Sequence, residues 1–216
     1  MENYGRAPTI LGNFNCTPNE MMFYQYLPIQ TPERLFFEDL LEPRLQGFTD
    51  LIFTSLKDYY DLKQKLPKYV YLTAKHLFVT RHFSGNRPGY HTDGYGTDDI
   101  NYIWYDKDPT VFCIQPYVLF DTSSHDIAMN TFELQSRKEN ETTYPINGLL
   151  RLDPFVVHKV PEVTEEGYRT FVKVSMSDHQ YNLQGNSFNP LLPTDWKMYP
   201  RELVRNDPTK KESDWR

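Results

Sequence analysis

A chain of 216 residues, 39% hydrophobic and 15% aromatic, is long and apolar enough to build one full-sized core, which excludes a disordered chain. Its net charge of -6 excludes a basic nucleic-acid footprint over the whole surface, although not a local groove. The two cysteines, Cys16 and Cys113, stand far apart without a Cys-x-x-Cys pair, so neither a disulfide framework nor a zinc knuckle is expected.

The N-terminal stretch has no basic region followed by a long apolar core, so no signal peptide is expected. No apolar run approaches transmembrane length. With two separate thiols, these features predict a cytoplasmic protein that does not engage a membrane. Asn15-Cys16-Thr17 and Asn140-Glu141-Thr142 match the glycosylation pattern and are read as chance matches.

Residues 1–30 are polar and aromatic without a clear period, and read as irregular backbone or short strands. Thr31-Pro32 predicts a helix start, with the threonine as cap and the proline at the first helical position. Leu35, Phe36, Leu40 and Leu41 would form its apolar face. A second helical pattern begins at Ser55, runs through Leu56, Tyr59, Tyr60, Leu62 and Leu66, and stops at Pro67.

After Pro67 the texture becomes that of short β-branched and aromatic runs separated by turn residues. Strands are predicted over 69–72, 77–80, 102–105, 110–114, 117–120, 148–152, 154–157 and 171–174. Many short strands after a helical start predict a mainly β, α+β domain: a sandwich or jelly roll backed by helices. The single domain is expected over 1–192, with helical support at about 31–66 and a β core at about 69–180. Residues 193–216 read as a polar, exposed arm.

The motif with most chemical content is His91-Thr92-Asp93, just after the turn-forming run Ser84-Gly85-Asn86-Arg87-Pro88-Gly89. On a strand, residues two apart share a face, so both side chains can reach one ion. His158, at the end of Phe155-Val156-Val157, supplies a second imidazole. Two imidazoles and one carboxylate on one face of an octahedron leave open positions, the ligand set of non-haem Fe(II) oxygenases. His76, His82, His125 and His179 are equally available to a bare count of histidines.

Together with Arg169-Thr170-Phe171-Val172-Lys173-Val174-Ser175, this set resembles the 2-oxoglutarate- and Fe(II)-dependent dioxygenases over roughly residues 70–180. The resemblance implies a double-stranded β-helix, the distorted jelly roll of that superfamily. It implies that His91, Asp93 and His158 hold Fe(II), with 2-oxoglutarate and O₂ as co-substrates. Arg169 would grip the far carboxylate of 2-oxoglutarate, a task suited to a planar, permanently charged guanidinium. The usual hydroxyl partner two residues on is replaced by Phe171, leaving Ser175 or Thr80 to fill that place. Lys173, four residues after Arg169 on the same strand face, would contact an anionic substrate. Arg81, Tyr102 and Trp104 are further candidate substrate residues.

The implied activity is hydroxylation of a C–H bond in a small molecule or protein side chain, with release of succinate and CO₂. A nucleic-acid substrate is not excluded, although the acidic charge balance argues against it. Two alternatives stay open: a cupin-like metalloprotein that does not use 2-oxoglutarate, and a non-catalytic jelly-roll binding module.

Overall fold

The computed structural model describes residues 3–119 and 124–201. The fold is built on two eleven-residue strands, β3 (Tyr69–Val79) and β9 (Gly167–Ser177). They pair antiparallel along their whole length, from Tyr69 opposite Ser177 to Val79 opposite Gly167. The two strands expected at 69–72 and 77–80 are therefore one. Thr73-Ala74-Lys75-His76 contains no glycine or proline, so nothing breaks the alternation between them.

The remaining strands are β1 (Thr9–Asn13), β2 (Met22–Gln30), β4 (Ile100–Tyr105), β5 (Val111–Cys113), β6 (Glu141–Thr143), β7 (Gly148–Leu152) and β8 (His158–Lys159). One six-stranded sheet has the order β1-β7-β4-β9-β3-β2, and a three-stranded sheet the order β6-β5-β8. Every pairing is antiparallel. The domain is thus mainly β, as the texture predicts. Residues 154–157 form a turn rather than a strand, consistent with the proline that opens them. Residues 117–119 also lack strand structure, and Phe120 lies outside the described residues.

The helical layer differs more from expectation. Thr31 and Arg34 close a short bridge through reciprocal backbone hydrogen bonds of 3.0 and 3.2 Å, so no helix begins at Thr31. Two 3₁₀ segments follow, Glu38–Leu40 and Pro43–Phe48. The α-helix α1 (Thr49–Lys63) starts six residues before Ser55. It ends at Gln64, which takes the left-handed conformation (φ 54°) while its N–H donates to the Tyr60 carbonyl. A second helix, α2 (His125–Gln135), was not foreseen. Ser124 caps it by accepting from the Ile127 N–H, and Ala128 and Phe132, one turn apart, are its buried face.

Strand parity decides where everything else goes. Val70, Leu72 and Ala74 of β3, Val172, Val174 and Met176 of β9, and Ile100, Tyr102 and Trp104 of β4 share one face of the large sheet. They pack with Leu51, Ile52 and Tyr59 of α1 to make the main core. Asp58 of α1 ties helix to sheet: its carboxylate accepts from the Tyr102 hydroxyl and from Arg151 of β7, each at 2.9 Å. The opposite face of the same strands carries Thr73, Lys75, Asn101, Ile103, Phe171 and Lys173, and it lines a cavity.

Of the expected C-terminal arm, residues 193–201 lie against the domain. Trp196 packs edge-on to Tyr69 and Tyr71, and the Tyr199 N–H donates to the Asn182 carbonyl. Residues 202–216 lie outside the described residues. No helix among the described residues is long and apolar enough to cross a membrane.

Candidate metal centre

His91 and His158 are brought together by the backbone before their side chains meet. Their N–H groups and carbonyls exchange two hydrogen bonds of 2.9 Å across an isolated antiparallel bridge, and the ring centroids stand 4.5 Å apart. His158 is the first residue of β8 rather than the end of a strand over 154–157. Asp93, by contrast, is not on a strand: it opens the turn Asp93-Gly94-Tyr95-Gly96. Gly94 has φ +76°, and an added Cβ there would sit 3.0 Å from the Asp99 Cβ. Only glycine meets both demands without strain, and the turn aims Asp93 back at the histidines.

One donor atom from each of His91, Asp93 and His158 lies within 4.8 Å of the others, so one ion can reach all three. The ring proton positions follow from the hydrogen bonds. His91 Nδ1 lies 3.0 Å from the Gly89 carbonyl, and His158 Nδ1 lies 3.0 Å from the Val156 carbonyl. A carbonyl only accepts, so Nδ1 carries the proton in each ring and Nε2 keeps its lone pair. Burial keeps both rings neutral. It pushes His91 down to about 4, with repulsion from His158 adding to the effect, and lowers His158 from its ordinary value. Burial would raise the Asp93 carboxyl, but Lys173 and the two imidazoles outweigh it and hold the group well below the usual carboxylate range. Two imidazole lone pairs and an ionised carboxylate are a donor set that fits a divalent transition metal.

Lys173 projects from β9 into the cavity, with its Nζ 3.1 Å from Asp93 Oδ1 and 3.2 Å from the Tyr26 hydroxyl. Burial would lower its ammonium, but Asp93 and then Tyr26 hold it above its ordinary value. Its immediate partner is therefore a candidate ligand carboxylate rather than the substrate contact expected of it. Tyr26, which the sequence reading missed, takes φ +50° at a bulge in β2, between the paired residues Tyr24 and Leu27. A non-glycine residue in the left-handed region at a bulge is strained, and here it turns the phenol toward Lys173.

The cavity has a volume of about 1220 Å³ and is walled by both sheets, by the loop 83–88 and by the start of α2. Its ring-bearing walls include Phe23, Tyr26, Phe83, Tyr95, Phe171 and Tyr181. Tyr181 donates to Asp99 at 2.6 Å and stacks on Tyr71 at 4.3 Å. Asn101 is buried in the wall. Its Oδ1 accepts from Ser175 at 2.6 Å, while its Nδ2 donor has no partner among the described residues.

Four expected site residues, Arg169, Tyr102, Trp104 and Arg81, stand elsewhere. Arg169 is 3% exposed and does not line the cavity. Its Nε donates to the Lys107 carbonyl at 2.8 Å, its Nη2 to the Asp108 carbonyl at 3.1 Å, and its guanidinium lies 5.4 Å from the centre of the Phe171 ring. It shares the cavity face of β9 with Lys173, but four residues further along, beyond Phe171. Neither expected hydroxyl joins it: Ser175 bonds Asn101, and Thr80 bonds the His82 N–H. Tyr102 and Trp104 are fully buried on the opposite face of β4, against the helical layer, and the Trp104 indole donates to the Phe14 carbonyl at 3.0 Å. Arg81 is exposed in the turn after β3 and does not line the cavity.

No family model and no curated protein matches this chain. Solved structures do. EvdO2 from Micromonospora carbonacea var. aurantiaca matches at 14% identity and a TM-score of 0.36, covering 77% of this chain and 76% of its own. A BsmA homologue from Methylobium petroleophilum PM1 matches at 13% identity and a TM-score of 0.36, over 81% of this chain and 66% of that one. A Burkholderia pseudomallei protein described as an oxidoreductase of the 2OG-Fe(II) oxygenase family matches at 12% identity and a TM-score of 0.35, over 85% and 75%.

Proposed function

We propose that this protein is a non-haem Fe(II)-dependent oxygenase with a double-stranded β-helix core, using 2-oxoglutarate and O₂ to oxidise a C–H bond. The observation that carries this reading is the convergence of two neutral imidazoles and one ionised carboxylate at the wall of a large cavity. His91, Asp93 and His158 would hold the metal. When bound, Fe(II) supplies the activation of O₂ that is coupled to decarboxylation of 2-oxoglutarate to succinate and CO₂.

The chain's own residues set the conditions for that chemistry. The Nδ1–H bonds to Gly89 and Val156 fix the imidazoles with Nε2 forward. Lys173 binds one Asp93 oxygen and leaves the other toward His158, whose Nε2 is 3.8 Å from it. The aromatic walls would pack against a substrate held beside the metal. The substrate class is a small molecule or a protein side chain.

The test is succinate formation from 2-oxoglutarate after anaerobic Fe(II) loading and exposure to O₂, beside an Asp93→Ala control. Turnover that is lost in the control, even slow and uncoupled turnover, supports the reading. No turnover and no saturable 2-oxoglutarate binding by the iron-loaded protein would sink it. A second reading, a cupin-like metalloenzyme that does not use 2-oxoglutarate, gains support from one observation: Arg169 spends its donors on backbone carbonyls. Tight metal binding without 2-oxoglutarate consumption would select it.

A further inference from the structure

The cavity reverses the charge balance of the chain. Its lining includes five cations (Lys75, Arg87, Lys159, Lys173 and Arg201) against three carboxylates (Asp93, Asp99 and Asp126), in a protein of net charge -6. Two of these cations are neutralised locally: Lys173 by Asp93, and Lys159 by Glu141 at 2.7 Å.

Lys75 is different. It rises from the middle of β3 between the apolar positions Ala74 and Leu77, and its Nζ donates to the Gly85 carbonyl and to Asn86 Oδ1, both at 2.9 Å. Both acceptors are neutral. An ammonium has three N–H donors, so one remains without a partner among the described residues. The Phe23 ring, 5.2 Å away at its centre, covers another side of the ammonium. Burial, followed by repulsion from Lys173 and Arg169, brings the group down to about 8, and Asp93 only partly offsets this. A cation kept in a cavity wall at that cost, without a carboxylate of its own, is stabilised by any anion that enters.

Register locates it relative to the metal centre. Lys173 pairs with Thr73, and Lys75 with Phe171. Lys75 therefore sits one strand across and two residues along from Lys173, roughly 5 Å by 7 Å at the backbone. It faces the same cavity as Asp93 without touching it.

We infer that Lys75 is the anchor of an anion site, receiving a carboxylate or phosphate group of a molecule bound in the cavity. That group belongs either to the co-substrate, as its distal carboxylate, or to the substrate itself. The ammonium serves both in the same way, through a charge-assisted hydrogen bond in a partly desolvated wall. The site does not rest on the metal reading, because Lys75 and its partners are complete without an ion.

The experiment titrates metal-free protein with succinate and with inorganic phosphate by calorimetry, comparing wild type, Lys75→Met and Lys75→Arg. Saturable wild-type binding is expected, weakened at least about tenfold in Lys75→Met and largely kept in Lys75→Arg. Reductive ¹³C-methylation of wild-type lysines gives a second readout that needs no folded methionine variant, since the Lys75 signal should shift as phosphate is added. Equal affinity in Lys75→Met, an unmoved Lys75 signal, or no saturable binding of either anion would overturn the site. Repeating the phosphate titration on Co(II)-loaded protein with saturating 2-oxoglutarate separates the sources. Phosphate binding that disappears identifies the co-substrate carboxylate; phosphate binding that persists identifies an anionic group of the substrate. A protein that binds phosphate at Lys75 but never consumes 2-oxoglutarate would fail the oxygenase reading alone.

Discussion

The two faces of the central strands β3, β9 and β4 share one backbone and one hydrogen-bond ladder, yet they do opposite work. The face toward α1 is apolar: Leu72, Ala74, Val172, Val174 and Trp104 meet α1 with little polar content beyond the Tyr102–Asp58–Arg151 link. The face toward the cavity carries Thr73, Lys75, Asn101 and Lys173 at the alternate positions. One residue of register separates a stabilising surface from a functional one. The first face sets whether the domain folds, and the second spends part of that stability on buried charge.

The largest loss of stability is expected on the core side. Trp104→Ala should cost about 3–5 kcal/mol, read as a lower urea midpoint, because it empties a fully buried site and removes the donor to the Phe14 carbonyl. Metal affinity of the folded fraction should stay as in wild type, since Trp104 does not line the cavity.

On the cavity side, Lys173→Met should also be costly, about 3 kcal/mol, because it leaves the Asp93 carboxylate buried without its cation. Unlike Trp104→Ala, it should change the absorption spectrum of the Co(II)-loaded protein, because an Asp93 oxygen is released toward the metal. Lys173→Arg should restore part of both.

Acid should act through the cavity face as well. His91 is held at about 4 when folded, below its ordinary value of 6.5, so the unfolded chain binds more protons between those values. Stability of the metal-free protein is therefore greatest above pH 6.5 and falls as pH drops toward 4, by on the order of 3 kcal/mol in all. His158 is shifted in the same direction and adds to the slope. A thermal melting series over this range checks it, and His91→Gln should flatten the curve. The smallest effect belongs to the link across the core: Tyr102→Phe removes one hydrogen bond to Asp58 and should cost about 1 kcal/mol in the same assay, with no change at the metal site.

How much of this was legible in sequence depended on how local the signal was. Gly148–Leu152 and the strand around 171–174 were readable from β-branched runs between turns, and both exist. The convergence of His91, Asp93 and His158 was expected, but the reason assigned to Asp93 was wrong: a glycine turn aims it, not strand alternation. Tyr102 and Trp104 flank the motif region in sequence, which points them toward the substrate, whereas the fold buries both against the helical layer. Alternation alone could not say which parity of β4 faces the helices. Lys75 carried a signal that went unused, a lone lysine inside an otherwise largely uncharged eleven-residue strand. The helix at 125–135 had a serine cap and apolar residues one turn apart, but its polar composition hid it.

The mainly β texture, a helical segment ahead of residue 67 and the three donor groups suited to one metal are all written in the sequence, although β1 and β2 precede that helical segment. These follow from period, turn chemistry and side-chain type, which act over a few residues. Only the tertiary structure decided which strand face became cavity, that Lys173 is paired with Asp93, and that Arg169 is spent on the Lys107 and Asp108 carbonyls while Lys75 stands in the cavity wall. Those outcomes turn on long-range register and on which loop closes over which strand. A guanidinium and an ammonium take whatever oxygen the fold brings within about 3 Å of them, and no local pattern encodes that.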